Sequence, residues 1–390
     1  MSLRVGLVGS RFAANFHAEC YRGLGEGAVT LAGVYSPTPE RRDEFAARHG
    51  VAACSSLDGL LEVSDVIDVC APPYSHEPCV LAAAAAGKHV IVEKPFTGAF
   101  GPADDPDWRG DLASKAGMLE EAMASASRMR DAVERAGVTL CYAENWVYAP
   151  SVQKEVEVIV KTRARILWIQ GEESHSGSHS PVYGIWAKTG GGSLVGKGCH
   201  PLTAALYLKR VQGQATDGAP VRPRAVSARV HRLTAAAGFH DLGWLRTDYH
   251  DVEDYCQVHV VFDDGTVADI HSTEIVMGGV HNWLEVYANN HRMRCNINPT
   301  DTNLLYNPEE RQLDDVYVVE KIGTKQGWSF PAPDEDWATG YRQELADFLG
   351  AIRDGREPAS GLPLAIDTTA VLYAAYLSAE RGGQEVDVPR

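Results

Sequence analysis

Apolar and polar positions follow two different rhythms along the chain. In the first part, short apolar runs alternate with segments of helical spacing. "RVGLVGS", "VTLAGVYS", "DVIDVCAPP", "VIVEKP" and "VTLCYAEN" read as strands. Between them "RFAANFHAECYRGL", "PERRDEFAARHG" and "SHEPCVLAAAAAGKH" read as helices, the last two stopped by glycine, and a longer helix is predicted around Leu119 to Ala136. Strands that are apolar on both faces need a sheet covered on both sides, and intervening helices supply the cover. The expectation for residues 1–148 is therefore α/β, a doubly wound parallel sheet. One stretch breaks the rhythm. Gly98 to Gly117 has no period and carries Asp104, Asp105, Asp107 and Asp111 among prolines and glycines. Long structureless segments inside compact domains are uncommon and often functional or mobile. A flap beside an active site and a plain surface insertion both fit it.

The second part reads differently. "ARILWIQGEESHSGSHSP" begins as a strand and becomes a polar loop, and "GGGSLVGKGCHPLTAALYLKRV" is a glycine-rich turn followed by a helix. Strands then dominate in "RAVSARVHRL", "YCQVHVVFDDGTVADIHSTEIV" and "NWLEVYANNHRMRCNI", with "DDGT" as a hairpin turn. In "CQVHVVF" the apolar Cys256, Val258, Val260 and Phe262 alternate with Gln257 and His259, so one face is apolar and the other is not. "YRQELADFLGAIRDG" and "AIDTTAVLYAAYLSAERG" read as amphipathic helices. Residues 149–390 are thus expected to form an α+β domain whose large, mostly antiparallel sheet is open on one face. No internal repeat is visible. His231 to His291 come at roughly ten-residue intervals, but their neighbours share no pattern, which reads as strand-face coincidence.

Composition narrows the class. A chain of 390 residues, 45% hydrophobic, can bury two cores. Its net charge of −16 repels nucleic acid phosphates and anionic membranes, so neither is an expected partner. The eight cysteines form no C-x-x-C pair, and several lie in apolar stretches, as Cys70 does in "VIDVCAPP". They read as buried free thiols of a reducing compartment. No charged-then-apolar leader is read at the start, and no apolar run approaches the ~18 residues of a membrane span. A cytoplasmic protein is expected.

The chemistry concentrates at strand ends. Gly9 closes the first strand and "GSRFAA" opens the first helix, a turn that makes an anion site at a helix N-terminus. A dinucleotide pyrophosphate is the usual occupant, which makes the first domain Rossmann-like. Of the pattern G-x-G-x-x-G/A, Gly9 and Ala14 are present, and Arg11 holds the middle position. The second strand ends at Ser36, where a carboxylate would take the ribose 2′-hydroxyl and reject a 2′-phosphate; Thr38, Arg41 and Arg42 follow. NAD and NADP both remain open. In "HVIVEKPFTG", Lys94 ends a buried strand between a carboxylate and a proline, either as a solvated turn or as a proton-transfer group.

The combination resembles the Gfo/Idh/MocA family of NAD(P)-dependent oxidoreductases. The resemblance is carried by Ala71, Pro72, Pro73 and His76, by Gly87 to Val90, by Glu93, Lys94 and Pro95, by Asn145 in "AENWVYAP", by "GGGSLVGKGCHP", and by the ending "YRQELADFLGAI…SAERGGQEVDVP". It implies that Lys94 lies beside the nicotinamide and that His200 faces it from the second domain as the proton donor or acceptor. NAD or NADP would lie along Gly9, Ser10, Arg11, Phe12, Ala13, Ser36, Ala71, Pro73, His76, Glu93, Lys94 and Asn145. It further implies a homodimer or homotetramer formed through the open sheet face. Desolvation beside the cofactor would lower the Lys94 pKa into a useful range. Two positions depart from the family pattern: Gly196 stands where it has an Asp four residues before the His, and Thr203 where it has a second Asp. The first departure removes a charge partner of Lys94; Lys197 beside it reads as a compensating or a solvated charge.

The expected activity is hydride transfer between a secondary alcohol of a sugar, polyol or inositol-like molecule and nicotinamide. The alternative is an NAD(P)-binding regulator without turnover. Substrate candidates are Lys94 and His200 with Glu173, His175, His179 and Tyr183 from the polar loop. The four-residue spacing of His175 and His179 would suit zinc on a helix. Gly177, the serines and Pro181 argue for a loop instead, and no metal is expected.

Overall fold

A computed structural model describes residues 2–25, 27, 29–178, 180, 182–298 and 302–390. The first sheet is built from β1 (Leu3–Val8), β2 (Val29–Tyr35), β3 (Ala52–Cys54), β4 (Val66–Val69), β5 (His89–Glu93) and β6 (Leu140–Ala143). All are parallel, in the order β3-β2-β1-β4-β5-β6. The helices between them are α1 (Phe12–Gly23), α2 (Pro39–His49), α3 (Leu57–Val63), α4 (His76–Ala85) and α5 (Lys115–Ala136). β4 and β6 are buried along their whole length, as their unbroken apolar runs require. β3 and α3 are additions to the sequence reading: three residues at a sheet edge and two helical turns are too short to show a period. Ser56 nonetheless caps α3 by accepting the Gly59 N–H at 3.1 Å. The parallel register brings Gly9, Ser36, Ala71, Lys94 and Glu144 to one carboxyl edge, where ligands of such sheets bind.

The second sheet follows α6 (Pro150–Thr162). It contains β7 (Ile166–Ser174), then, beyond the short α7 (Trp186–Thr189) and the long α8 (Cys199–Asp217), β8 (Pro223–His231), β9 (Tyr255–Phe262), β10 (Val267–Thr273), β11 (His281–Ala288) and β12 (Arg292–Asn298). A small ribbon, β13 (Leu305–Asn307) with β14 (Gly327–Ser329), and the helices α9 (Glu335–Ala338), α10 (Tyr341–Asp354) and α11 (Leu362–Glu380) precede β15 (Val386–Asp387). The order is β12-β11-β7-β10-β9-β8-β15, antiparallel except at β7–β10. The alternation in β9 holds: Cys256, Val258, Val260 and Phe262 are buried, whereas Gln257 and His259 are not. The eight cysteines are free thiols.

Two segments join the halves. α11 is long and apolar enough in composition to span a bilayer, a run the sequence reading missed, yet most of it is buried here against α5, α8 and β8. Just before it, Ser360 accepts the Tyr142 N–H at 2.9 Å and Gly361 bridges to Cys141, extending the sheet beyond β6. The segment from Gly98 to Gly117 is a strap, and its last residues already belong to α5. Its Ala99 carbonyl accepts from Trp186 Nε1 (3.1 Å), and Gly110 N–H donates to Asp251 (2.8 Å). Its longest exposed run is 102–107. The boundary we propose, 148/149, falls just before α6.

Candidate active site

Lys94 leaves β5 on a braced turn. Its N–H donates to Glu93 Oε2 at 2.9 Å, and Glu93 Oε1 meets His17 Nε2 at 3.1 Å. His17, fully buried on α1, reaches Asp68 of β4 through Nδ1 at 2.9 Å, and the Tyr21 hydroxyl donates to the same Asp68 oxygen at 2.9 Å. Burial works against a charge on His17, but Cys70 and Asp68 outweigh it and hold its pKa well above the usual imidazole range. The Lys94 ammonium donates to the Gly196 carbonyl at 2.8 Å, across the gap between the two halves. Its pKa corrects the sequence expectation. Burial pulls it down, yet Cys199, Glu173, Glu93 and Glu144 together push it above its ordinary value. The lost Asp is more than replaced, so Lys94 is an ammonium at neutral pH.

Residues Leu194–Gly198 form one widened helical turn that runs into α8, a distortion often found at functional sites. It presents the Gly196 carbonyl to Lys94 and carries His200 into the cleft. His200 Nδ1 is hydrogen-bonded to Glu144, the first residue after β6, and Nε2 lies 3.9 Å from Glu173 Oε2. The Trp146 ring stacks on the imidazole, with centroids 6.1 Å apart and planes 19° from parallel. Gly196 has no room for a side chain, because a Cβ there would strike the Tyr183 hydroxyl. Lys197 is not solvated: it is buried, ion-paired with Glu274 and 5.3 Å above the Tyr183 ring, while that tyrosine's hydroxyl donates to Glu274 at 2.7 Å. Thr203, at the second departure, donates to the Cys199 carbonyl at 2.7 Å within its own helix.

The described residues of the polar loop after β7 are not helical, so the helical chelate spacing has no support. His175 is buried and its Nδ1 accepts the Gly177 N–H at 3.1 Å; His179 lies outside the described residues. Arg246 donates to the carbonyls of Ser178 (2.6 Å) and Ser180 (2.8 Å), and Lys321 to that of Gly177 (3.0 Å). Tyr183, expected at the substrate mouth, instead packs inward beside Gly196. Ligand atoms of Glu144, Cys199 and His200 lie within 4.8 Å of one another, as do those of His17, Asp68 and Cys70, but in each trio the imidazole Nδ1 is already hydrogen-bonded to the carboxylate.

The glycine-rich turn ahead of His200 hangs on Glu253, which accepts the Gly192 and Leu194 N–H groups (3.3 and 2.9 Å) and the Tyr376 hydroxyl (2.8 Å). Burial raises its pKa from 4.5 to about 7. Between those values the folded chain holds a proton that the unfolded chain has released, so stability falls as pH rises. The loss attributable to this group is about 3 kcal/mol. Urea unfolding at pH 5 and pH 8 should show the wild type losing stability over that range relative to Glu253→Gln. Equal slopes would exclude Glu253 as the titrating group.

The first domain offers a dinucleotide cradle. Gly9 has φ +117°, and a Cβ on it would meet the Cys70 carbonyl at 2.6 Å, so only glycine fits that turn. Arg11 precedes α1 without capping it by a side chain, and no acidic residue lies in the first turn. The first N–H groups of α1 therefore remain open to an anion. Phe12 is 73% exposed and Ala13 half-buried beside them, and the Ser10 hydroxyl donates to Ser36 at 3.1 Å. His76 sits between the carbonyls of Ala71 and Pro95, 2.9 Å from each, and so braces two walls of the cradle. Ala71 and Pro73 flank it. Asn145 is placed differently from expectation: its amide donates inward to the Thr339 carbonyl at 2.8 Å.

Residues 3–105 match the model of an oxidoreductase family with an NAD-binding Rossmann fold, and residues 159–294 match that of the GFO/IDH/MocA C-terminal domain. The chain belongs to the Gfo/Idh/MocA family. As a member of it, the protein is an oxidoreductase that uses NAD or NADP. Over 96% of both chains, this Gfo/Idh/MocA protein is 23% identical to a levoglucosan dehydrogenase of Pseudarthrobacter phenanthrenivorans. A UDP-N-acetylglucosamine 3-dehydrogenase of Acidithiobacillus ferrooxidans is 35% identical over 95 residues, which span 24% of this chain and 29% of that protein. The crystal structure of GenD2 from gentamicin A biosynthesis, in complex with NAD, shares the fold with a TM-score of 0.80 at 24% identity, covering 100% of this chain and 97% of that one.

Proposed function

We propose that the protein moves hydride between a secondary alcohol carbon of a sugar, polyol or inositol-like molecule and nicotinamide. The reading rests on one observation above all: Lys94 and His200, from different halves of the chain, both lie close to the buried Glu173, and Lys94 reaches the second half by donating to the Gly196 carbonyl. A bound nicotinamide would supply the hydride-accepting carbon. The Lys94 ammonium would hold the substrate hydroxyl oxygen and stabilise charge developing there. In oxidation His200 Nε2 would take the hydroxyl proton, and in reduction it would return it. Glu173 is buried, and its Oε2 has no hydrogen-bond partner among the described residues, so it is suited to accept a second substrate hydroxyl. The names of the relatives, dehydrogenases of sugars, support this class. A regulator without turnover would need neither Lys94 nor His200. We further propose a cytoplasmic homodimer or homotetramer assembled through the open face of the second sheet. The test is absorbance at 340 nm with NAD and NADP against aldoses, glycosides, anhydrosugars and inositols. Tight dinucleotide binding without turnover of any of them would favour the regulator.

The same site favours NADP. Ser36 stands where a carboxylate would repel the 2′-phosphate, and Arg41 is exposed, without an ion-pair partner among the described residues. NADPH is expected to bind at least as tightly as NADH, and Ser36→Asp should weaken NADPH by about tenfold or more, some 1.4 kcal/mol, without weakening NADH. Fluorescence titration of both dinucleotides decides it. Equal weakening of both by the substitution would argue against a role in discrimination.

A further inference from the structure

His200 needs an acidic partner, and the position that supplies one in the family pattern has none. Gly196 cannot gain one either, since the Tyr183 hydroxyl fills the space its Cβ would occupy. Tyr183 is itself held there by Glu274, which also takes Lys197. These three side chains close that side of the cleft to a carboxylate at position 196.

The opposite side provides one. β5 and β6 are adjacent and parallel, with Glu93 paired to Ala143. The next residues along, Lys94 and Glu144, therefore leave neighbouring strands at the same edge. Glu144 is completely buried, and its Oε1 meets His200 Nδ1. A carboxylate can only accept, so Nδ1 must carry the proton, which leaves Nε2 as the basic nitrogen. Nε2 is the atom on the Glu173 side. Trp146, two residues beyond Glu144, covers the ring face and limits its rotation. The charged and titratable groups around this imidazole are Lys94 and Glu93 from β5 and its end, Glu144 after β6, Glu173 from β7, and Lys197 and Cys199 from the turn and helix that carry it. Lys94 stays an ammonium, so a second positive charge on His200 would be opposed without a carboxylate directly behind the ring.

We propose that Glu144 is the positioning residue of His200, fixing its tautomer and supporting the imidazolium formed when Nε2 takes the substrate's hydroxyl proton. The role assigned to Nε2 rests on the proposed dehydrogenase reading; the Glu144–His200 pairing does not. Glu144 acts through His200 and touches no reacting atom.

The experiment uses the full chain as wild type, Glu144→Gln and Glu144→Asp, with His200→Asn to assign the signal. Proton NMR of the imidazole region reads the pairing without turnover: a far-downfield Nδ1 proton is expected in wild type, lost in Glu144→Gln and His200→Asn, and retained in Glu144→Asp. With a sugar substrate found by the 340 nm screen, Glu144→Gln should lower kcat by ~10²–10⁴-fold. Its dinucleotide affinity should be unchanged and the acid limb of its kcat/KM profile displaced, and Glu144→Asp should recover part of the rate. A downfield signal that is absent from wild type or survives in Glu144→Gln overturns the pairing. So does a kcat in Glu144→Gln within a factor of about three of wild type, since an imidazole without its partner loses far more. If wild type shows the Glu144-dependent signal but turns over no sugar or polyol, the pairing stands and the proposed dehydrogenase reading falls. Should Glu144→Gln not fold, the wild-type signal and the Glu144→Asp rate still decide.

Discussion

Lys94→Ala is expected to lower kcat for alcohol oxidation by ~10³–10⁴-fold. The effect should be large because the lysine would act as a positioned positive charge rather than as a base. Cys199 and three carboxylates, those of Glu173, Glu93 and Glu144, keep it protonated through the neutral range, and its hydrogen bond to the Gly196 carbonyl directs it toward the second half of the chain. Alanine removes both the charge and the donor at the point where an alkoxide would develop. Dinucleotide affinity should change little, because the pyrophosphate and adenosine ends would be held at Gly9, α1 and Ser36. Stopped-flow hydride transfer alongside NADPH titration separates the two quantities. A variant that binds dinucleotide normally and retains a tenth or more of the wild-type rate would remove Lys94 from the chemistry.

The second large effect is on folding. His17→Leu should cost about 3–5 kcal/mol, the usual loss when one member of a buried ionic set is taken away. Without the imidazolium, Asp68 keeps only the Tyr21 hydroxyl and the weak Cys70 thiol donor among the described residues, and Glu93 keeps the Lys94 N–H, in a largely dry interior. The pH dependence carries a sign that distinguishes this from a simple packing defect. The folded pKa of His17 is raised, so its stabilisation is complete below the ordinary imidazole value of ~6.5 and is lost as pH climbs through the folded value. The stability gap between wild type and variant should therefore narrow in alkaline solution. Urea unfolding of both proteins at pH 6, 8 and 10 measures it. A gap that is constant with pH would assign the loss to packing alone.

Much of the site could be read from local pattern because its residues stand at element boundaries. Lys94 is conspicuous as a charge ending an apolar strand, and His200 follows a glycine-rich turn. Glu144 escaped notice beside Asn145, which attracted attention instead. Neighbouring residues at a strand end point to opposite sides, so a shift of one residue exchanges the group facing the cleft for one facing the interior. Here Asn145 turns toward Thr339 and Glu144 toward His200. The Tyr183–Glu274–Lys197 arrangement was illegible for another reason. Glu274 reaches the site only through the pairing of β10 with β7 and β9, and no local period encodes that. The sign of the Lys94 shift needed the same information, since burial could be inferred from the strand but the ring of carboxylates could not. Sheet order and the parallel β7–β10 pair likewise depend on distant contacts, whereas strand alternation in β9 was visible directly.

The return of the chain to β6 bears on how such proteins can exchange parts. An amino-terminal fragment stopping at residue 148 would present β6 with its outer backbone groups bare, because Ser360 and Gly361 would be gone. A bare, apolar strand edge is a template for pairing with other chains. α11, which lies against both α5 and β8, would be missing as well. A substrate half therefore cannot be transplanted as one contiguous block. Any viable recombinant has to leave the stretch around Ser360, and the helix after it, matched to the nucleotide half it closes. In inheritance as in engineering, Ser360, Gly361 and the helix after them travel with the first sheet, although most of the second half of the chain separates them from it.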